Sequence, residues 1–268
     1  MNISIIHAPT SEKPFLVIYK PKGLASAPLS QTDSDNALSQ SLELFPELRK
    51  VHGKKEIEYG LLHRLDTATD GLIVIAATQE CYDFLCEEQR EGRFVKYYQA
   101  ECNILPDNTK LLGGFPPADI TTQHFEPNKT FTMSSYFRPY GEGRKEVRPV
   151  TEKSGKAALS KLGKQKLYTT EITINQLDKT CGKASVECRI TEGYRHQVRC
   201  HLAWAGLPVE WDALYNSGTK NNTEAPLKFS ATKISFNYPA ETLNLFYFDF
   251  LKFTYYNLII PKSFLMFI

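Results

Sequence analysis

The six cysteines of this 268-residue chain include no Cys-x-x-Cys pair. Their positions (81, 86, 102, 181, 188 and 200) suit neither a zinc site nor the disulfide framework of a small secreted domain. Scattered thiols in a chain this long read as buried or incidental cysteines of a reducing cytosol, so a cytoplasmic location is expected. No run of about 18 clean apolar residues is present to span a bilayer: Asp249, Lys252, Pro261 and Lys262 interrupt the aromatic tail from Leu245 to Ile268. Met1 to Lys13 lacks the basic start and long apolar run of a signal peptide. There is no Gly-rich nucleotide loop, metal-ligand cluster, low-complexity tract or internal repeat. Neither a metal nor a cofactor is expected. The net charge of +2 names no partner by itself.

At 42% hydrophobic residues the chain can bury a substantial core, as one large domain or two small ones. Charge is informative only locally. Between Arg138 and Lys166 nine Lys/Arg stand against three Glu, a candidate phosphate-facing patch that reads equally as a solvated loop and helix. Phe15 to Tyr19 is an apolar run ended by Lys20-Pro21-Lys22-Gly23, a strand entering a turn. Ala37 to Leu48 predicts a short amphipathic helix. Leu72 to Ala77 predicts a strand buried on both faces, Glu80 to Gly92 a helix and Phe94 to Cys102 a strand. From Leu111 to about Val150 the pattern dissolves, which reads as an insertion with its own role or as a mobile segment. Ser154 to Lys166 predicts a basic helix, Thr169 to Leu177 and Lys183 to Ile190 paired strands, and His196 to Ala205 a helix. These elements predict an α+β fold around a mixed sheet, with the tail as a buried terminal element.

Three constellations carry chemistry. His63-Arg64-Leu65-Asp66, followed by Thr67, Thr69, Asp70 and Gly71, sets a base, a cation, a carboxylate and hydroxyls between two apolar runs, where a braced loop tends to hold catalytic groups. The same residues also read as an Asp closing a turn. Tyr194-Arg195-His196-Gln197-Val198-Arg199 places two guanidiniums four apart at a helix start, fit for a carboxylate or phosphate or for an exposed basic helix end. Lys96-Tyr97-Tyr98 lies in a strand, where a Tyr can stack on a base or sit in the core.

Together these segments resemble the RluA-type pseudouridine synthases, with a Lys-Pro-x-Gly turn (Lys20 to Gly23), a His-Arg-Leu-Asp loop (His63 to Asp66), a Lys-x-Tyr-x-Ala strand (Lys96 to Ala100) and a Gly-x-x-His-Gln-Val-Arg helix start (Gly193 to Arg199). Gly206-Leu207-Pro208-Val209, Asp212-Ala213-Leu214-Tyr215 and the stretch from Pro226 to Pro239 follow in the family's order. The resemblance implies a mixed, mostly antiparallel central sheet with flanking helices and a catalytic cleft across it. It implies an isomerase that turns uridines of ribosomal or transfer RNA into pseudouridine. Asp66 lands on the catalytic aspartate, Arg199 on the arginine that pairs with it, Tyr98 on the tyrosine against the target base and Arg64 on the residue that fills the vacated stack. Lys20, His63, Lys96, Arg195, His196 and Gln197 are expected to face RNA. A single catalytic domain is expected, its core near 15–240, with a basic insertion at 111–166, an aromatic tail at 241–268 and no separate N-terminal RNA-binding domain. A monomer binding structured RNA, with no membrane contact, completes the expectation.

The chain also departs from the family. Tyr194 and Arg195 stand where the family has Arg directly after the Gly and Thr or Ser before the His, and Asp70 replaces a Ser. An inward Asp70 would raise the pKa of Asp66; solvent exposure is the expected placement. Two rival functions are a non-catalytic RNA-binding or ribosome-assembly protein on the same scaffold, and a nucleoside hydrolase pairing Asp66 with a second carboxylate such as Glu192.

Overall fold

A computed structural model describes residues 1–106, 112–160, 162, 166–219, 225–239, 243–249 and 254–259. Along the chain run β1 (Ser4–His7), β2 (Phe15–Lys20), α1 (Ala37–Leu44), β3 (Asp70–Ala76), α2 (Gln79–Arg90), β4 (Val95–Asn103), β5 (Thr130–Tyr140), β6 (Glu146–Val150), α3 (Lys156–Leu159), β7 (Tyr168–Asp178), β8 (Lys183–Ile190), α4 (Gln197–Trp204), β9 (Phe229–Pro239), β10 (Leu243–Asp249) and β11 (Thr254–Ile259). They fall into two compact units, Met1–Tyr97 with Ser230–Ile268, and Tyr98–Phe229.

In the first unit β2 lies antiparallel between β1 and β3, with Phe15 opposite Ala76 and Lys20 opposite Gly71. β3 pairs in parallel with β9 through Asp70–Ser230 and Gly71–Ala231, and β9, β10 and β11 continue antiparallel. Gly71 sits at φ 132°, and a Cβ there would lie 2.1 Å from the Ala231 carbonyl oxygen, so only glycine lets the strands close at this point. The apolar run of β3 is buried from Gly71 to Ala76, as a strand covered on both faces requires. Its core is aromatic: Phe15, Phe94, Phe236, Phe246 and Phe248 cluster around Val17, Leu72 and Val74. The tail enters the core through Phe246 and Phe248; residues 250–253 and 260–268 lie outside the described residues.

In the second unit the strand order is β4-β8-β7-β5-β6, antiparallel across β8, β7, β5 and β6. β7 and β8 alternate buried and solvated residues, as expected of a sheet covered on one face. The segment expected to be patternless contains the β5–β6 hairpin. β5 turns Met133, Ser135 and Phe137 inward, and the inward Ser135 breaks the apolar alternation. Its hydroxyl is satisfied by His201 Nε2 at 2.9 Å. The predicted basic helix is a single described turn, α3; positions 161 and 163–165, with two of the counted lysines, lie outside the described residues. Every residue of α4 is buried, so it is no exposed basic helix end.

Candidate active site

The loop carrying Asp66 is fixed by backbone and side-chain bonds within the first unit. Leu62 N–H donates to the Val74 carbonyl at 3.1 Å, and the Thr69 N–H to the Asp66 carbonyl at 2.9 Å, so the chain turns tightly just after Asp66. Leu65, buried beside it, is gripped on both sides: Ser26 Oγ accepts from its N–H at 2.9 Å and donates to its carbonyl at 2.7 Å. Gly23 N–H donates to the Thr67 carbonyl at 2.8 Å. The side chain of Lys20 is buried and donates to the carbonyls of Leu24 (2.8 Å), Pro21 (2.9 Å) and Thr67 (3.4 Å). The Lys-Pro-Lys-Gly turn is therefore a bracket under the Asp66 loop. Lys20, expected to face RNA, braces backbone instead, since its ammonium is spent on carbonyls inside the protein. Burial pulls its pKa down to about 8, opposed by the nearby carboxylates of Asp70 and Asp66.

Asp70 is not solvent-exposed as expected. Its carboxylate accepts from Tyr19 Oη at 2.5 Å and Ser230 Oγ at 2.6 Å, and Lys22 Nζ stands 3.5 Å away. Burial, and then the Asp70 hydrogen bond, push the Tyr19 hydroxyl pKa up. The His63 ring packs edge-on to Phe94, 5.7 Å between centroids, and its Nε2 accepts the Val74 N–H at 3.3 Å. Burial and then the charge of Lys96 lower the His63 pKa to about 3. A neutral ring bonded to strand backbone holds the loop rather than a phosphate. Lys96 is buried, its Nζ 6.0 Å from the Phe94 ring centre. Arg64 is exposed and pairs at 3.3 Å with Glu58, which also takes Lys55 at 3.0 Å.

The other expected site residues belong to the second unit. Tyr98 is 8% exposed and lies parallel to the Phe229 ring, 5.1 Å between centroids. Arg199 forms a two-pronged ion pair with Asp212, Nε to Oδ2 and Nη2 to Oδ1, both at 2.8 Å, with side chains 6% and 0% exposed. Asp212 Oδ1 also accepts the N–H groups of Leu214 and Tyr215 at 3.0 and 3.1 Å. This partner has no role in the sequence reading, although Asp212 stands in the Asp-x-Leu-Tyr motif. Gln197 is buried, donating to the Thr169 carbonyl (3.0 Å) and Thr170 Oγ1 (3.2 Å) while accepting the Tyr194 N–H (3.0 Å). It is a packing brace rather than an RNA-facing amide. His196 takes a left-handed backbone, φ 55°, and its Nδ1 meets the Tyr215 hydroxyl at 3.0 Å. Arg195 is exposed and donates to the carbonyls of Arg144 (2.5 Å) and Glu146 (3.2 Å). Among the described residues no group of three His, Cys, Asp or Glu side chains is placed to hold a metal, and no helix is long and apolar enough to cross a membrane.

The family model for RNA pseudouridylate synthases matches residues 14–204, so the chain belongs to that family. Curated relatives include an uncharacterized RNA pseudouridine synthase of Mycoplasma pneumoniae, 28% identical over 87% of this chain and 62% of its own length. Ribosomal large subunit pseudouridine synthase D of Neisseria meningitidis serogroup B is 26% identical over 75% of this chain and 44% of its own length. The tRNA pseudouridine(31) synthase of Saccharomyces cerevisiae is 26% identical over 77% and 45%. The chain thus spans less than two thirds of the length of these relatives. The fold matches that of human RNA pseudouridylate synthase domain containing 1, with a TM-score of 0.59 at 18% identity over 98% of this chain and 84% of the other. The expected α+β class, with a mixed and mostly antiparallel sheet, is borne out.

Proposed function

We propose that the protein is an RNA pseudouridine synthase acting on ribosomal or transfer RNA, with Asp66 as its catalytic carboxylate. The observation that carries this reading is the bracketed loop: Ser26, Gly23 and Lys20 all bind the backbone of the residues flanking Asp66. A side chain whose neighbours are fixed from outside the loop keeps its direction without help from substrate, which is the preorganisation that catalysis requires. The relatives named for ribosomal and transfer RNA support these substrate classes.

The reaction breaks the bond from ribose C1′ to uracil N1, turns the base and rejoins it through C5. One carboxylate suffices to labilise the glycosidic bond and move protons. The target uridine leaves the stack to be reached; Arg64, exposed and paired with Glu58, is the filler, and Tyr98, backed by Phe229, is the flat surface for the base. The family resemblance alone assigns Arg199 a charge partner's role; its guanidinium is held by Asp212. Mapping of pseudouridine in ribosomal and transfer RNA from cells lacking the gene tests the reading. Loss of pseudouridine at a defined position, restored by the wild-type gene, is expected. An unchanged map would leave the non-catalytic RNA-binding alternative.

A further inference from the structure

The tip of the β5–β6 hairpin gathers cations, Arg144 and Lys145, for which no ion pair is formed among the described residues. Residues 141–145 at its tip are exposed throughout, and Gly141, Gly143 and Arg144 adopt φ values of 77°, 62° and 54°. That backbone is unfavourable for an arginine and persists only where surroundings enforce it. The Arg195 guanidinium holds this turn, its Nη2 binding the carbonyls of Arg144 and Glu146 at 2.5 and 3.2 Å. The clamp adds its own positive charge to the tip.

Of the two carboxylates beside the tip, Glu146 is already committed. Glu146 pairs at 2.6 Å with the buried Arg148, which also donates to the Gly113 carbonyl at 2.7 Å and stacks on Tyr140 at 4.2 Å. Arg138 stacks on the same Tyr140 ring at 4.9 Å, and its Nε is buried without a hydrogen-bond partner. Among the described residues Arg144, Lys145 and Arg195 make no ion pair, and Glu142 is the one carboxylate left at the tip. The base of the hairpin is bolted to the start of α4, because the Tyr215 hydroxyl accepts the Val147 N–H at 2.9 Å and meets His196 Nδ1 at 3.0 Å. Arg199 lies over the same Tyr215 ring at 5.4 Å. A rigid arm presenting unpaired guanidinium and ammonium groups attracts a polyanion and fits phosphate oxygens.

We propose that this hairpin tip, with Arg144 and Lys145 at its apex and Arg195 clamping it to α4, is a contact surface for the phosphate backbone of the RNA substrate. Arg195 is then a positioning residue, which accounts for the departure from the family's Thr or Ser at that place. The proposal rests on the RNA reading given above.

The test measures affinity of the full chain for unmodified ribosomal and transfer RNA transcripts as a function of salt, with pseudouridine formation followed in the same transcripts. Arg144→Gln with Lys145→Gln removes two exposed charges, and flattening of log K against log salt by about 1.4 is expected, about 0.7 for each phosphate contact. Affinity at 0.1 M salt falls on the order of tenfold, whereas Glu142→Lys tightens binding and steepens the slope. In an Arg195→Ala background the double Gln change costs markedly less affinity, because the arm is no longer held in place. Slopes and affinities unchanged in both the Gln and Lys variants, or no RNA binding by the wild type, overturn the proposal. Hairpin-dependent binding without pseudouridine formation contradicts the catalytic reading alone; pseudouridine formation with hairpin-independent binding contradicts only the hairpin.

Discussion

Ser26 spends both directions of its hydroxyl on Leu65, accepting from the N–H at 2.9 Å and donating to the carbonyl at 2.7 Å. The two residues are 39 positions apart, and both are buried. A single small side chain thus replaces the ladder partner that a loop residue lacks, one position before Asp66.

Ser26→Ala leaves a buried N–H and a buried carbonyl without partners. A stability loss of about 1–3 kcal/mol is expected, together with a drop in kcat that exceeds any change in KM, because the loop and not the RNA surface is disturbed. Urea unfolding with steady-state kinetics checks both; an unchanged kcat would show that the loop keeps its geometry without Ser26.

Arg199→Ala removes the guanidinium from the fully buried Asp212 carboxylate. Loss of about 3–5 kcal/mol is expected when one partner of such a pair is removed. Arg199→Lys is expected to recover only part, since an ammonium cannot span both carboxylate oxygens. Equal stability of the Lys variant and the wild type would mean that the two-pronged geometry is immaterial.

Acid should unfold the protein partly through two histidines. Burial lowers the pKa of His201 to about 3, and His63, with Lys96 adding to the effect, likewise sits at about 3, against an ordinary 6.5. The unfolded chain takes up these protons as pH falls below 6.5 while the folded chain does not, so stability present above 6.5 is lost progressively towards pH 3. The urea midpoint of the wild type should fall over that window, and His201→Gln should show a shallower fall. Parallel curves for the two proteins would contradict the assignment.

Much of the scaffold was legible because burial on two faces leaves continuous apolar runs: Leu72 to Ala76 and Phe15 to Ile18 announce β3 and β2 directly. β5 was illegible because its inward Ser135 is paid for by His201, 66 residues away, which no local pattern encodes. The same distance problem hid three roles at the site. A lysine in a Lys-Pro-x-Gly turn looks solvent-facing until the Thr67 and Leu24 carbonyls close over Lys20. Asp212 lies 13 residues beyond Arg199, across irregular chain. Arg195 finds Arg144 and Glu146 only once the hairpin has folded. Motif order points to the functional loop, but the bonds that hold it come from tertiary structure.

Lys20 also links the bracket to pH. Its ammonium, lowered to about 8 by burial against the pull of Asp70 and Asp66, loses a proton as pH rises through that value, and with it one of three carbonyl contacts. The folded protein releases this proton before the unfolded chain does, so this group's contribution to stability rises between about pH 8 and 10.5. Activity, in contrast, should decline with an apparent pKa near 8 as the brace on Thr67 loosens. Lys20→Met should lower kcat and flatten this limb; a limb retained in the variant would assign it elsewhere.

The most direct test is release of tritium from RNA labelled at uridine C5, comparing the wild type with Asp66→Asn. The wild type should release tritium in step with pseudouridine formed, and the variant should release none while binding the same RNA within a few-fold. Release by Asp66→Asn at a rate near wild type would contradict the assignment of that carboxylate.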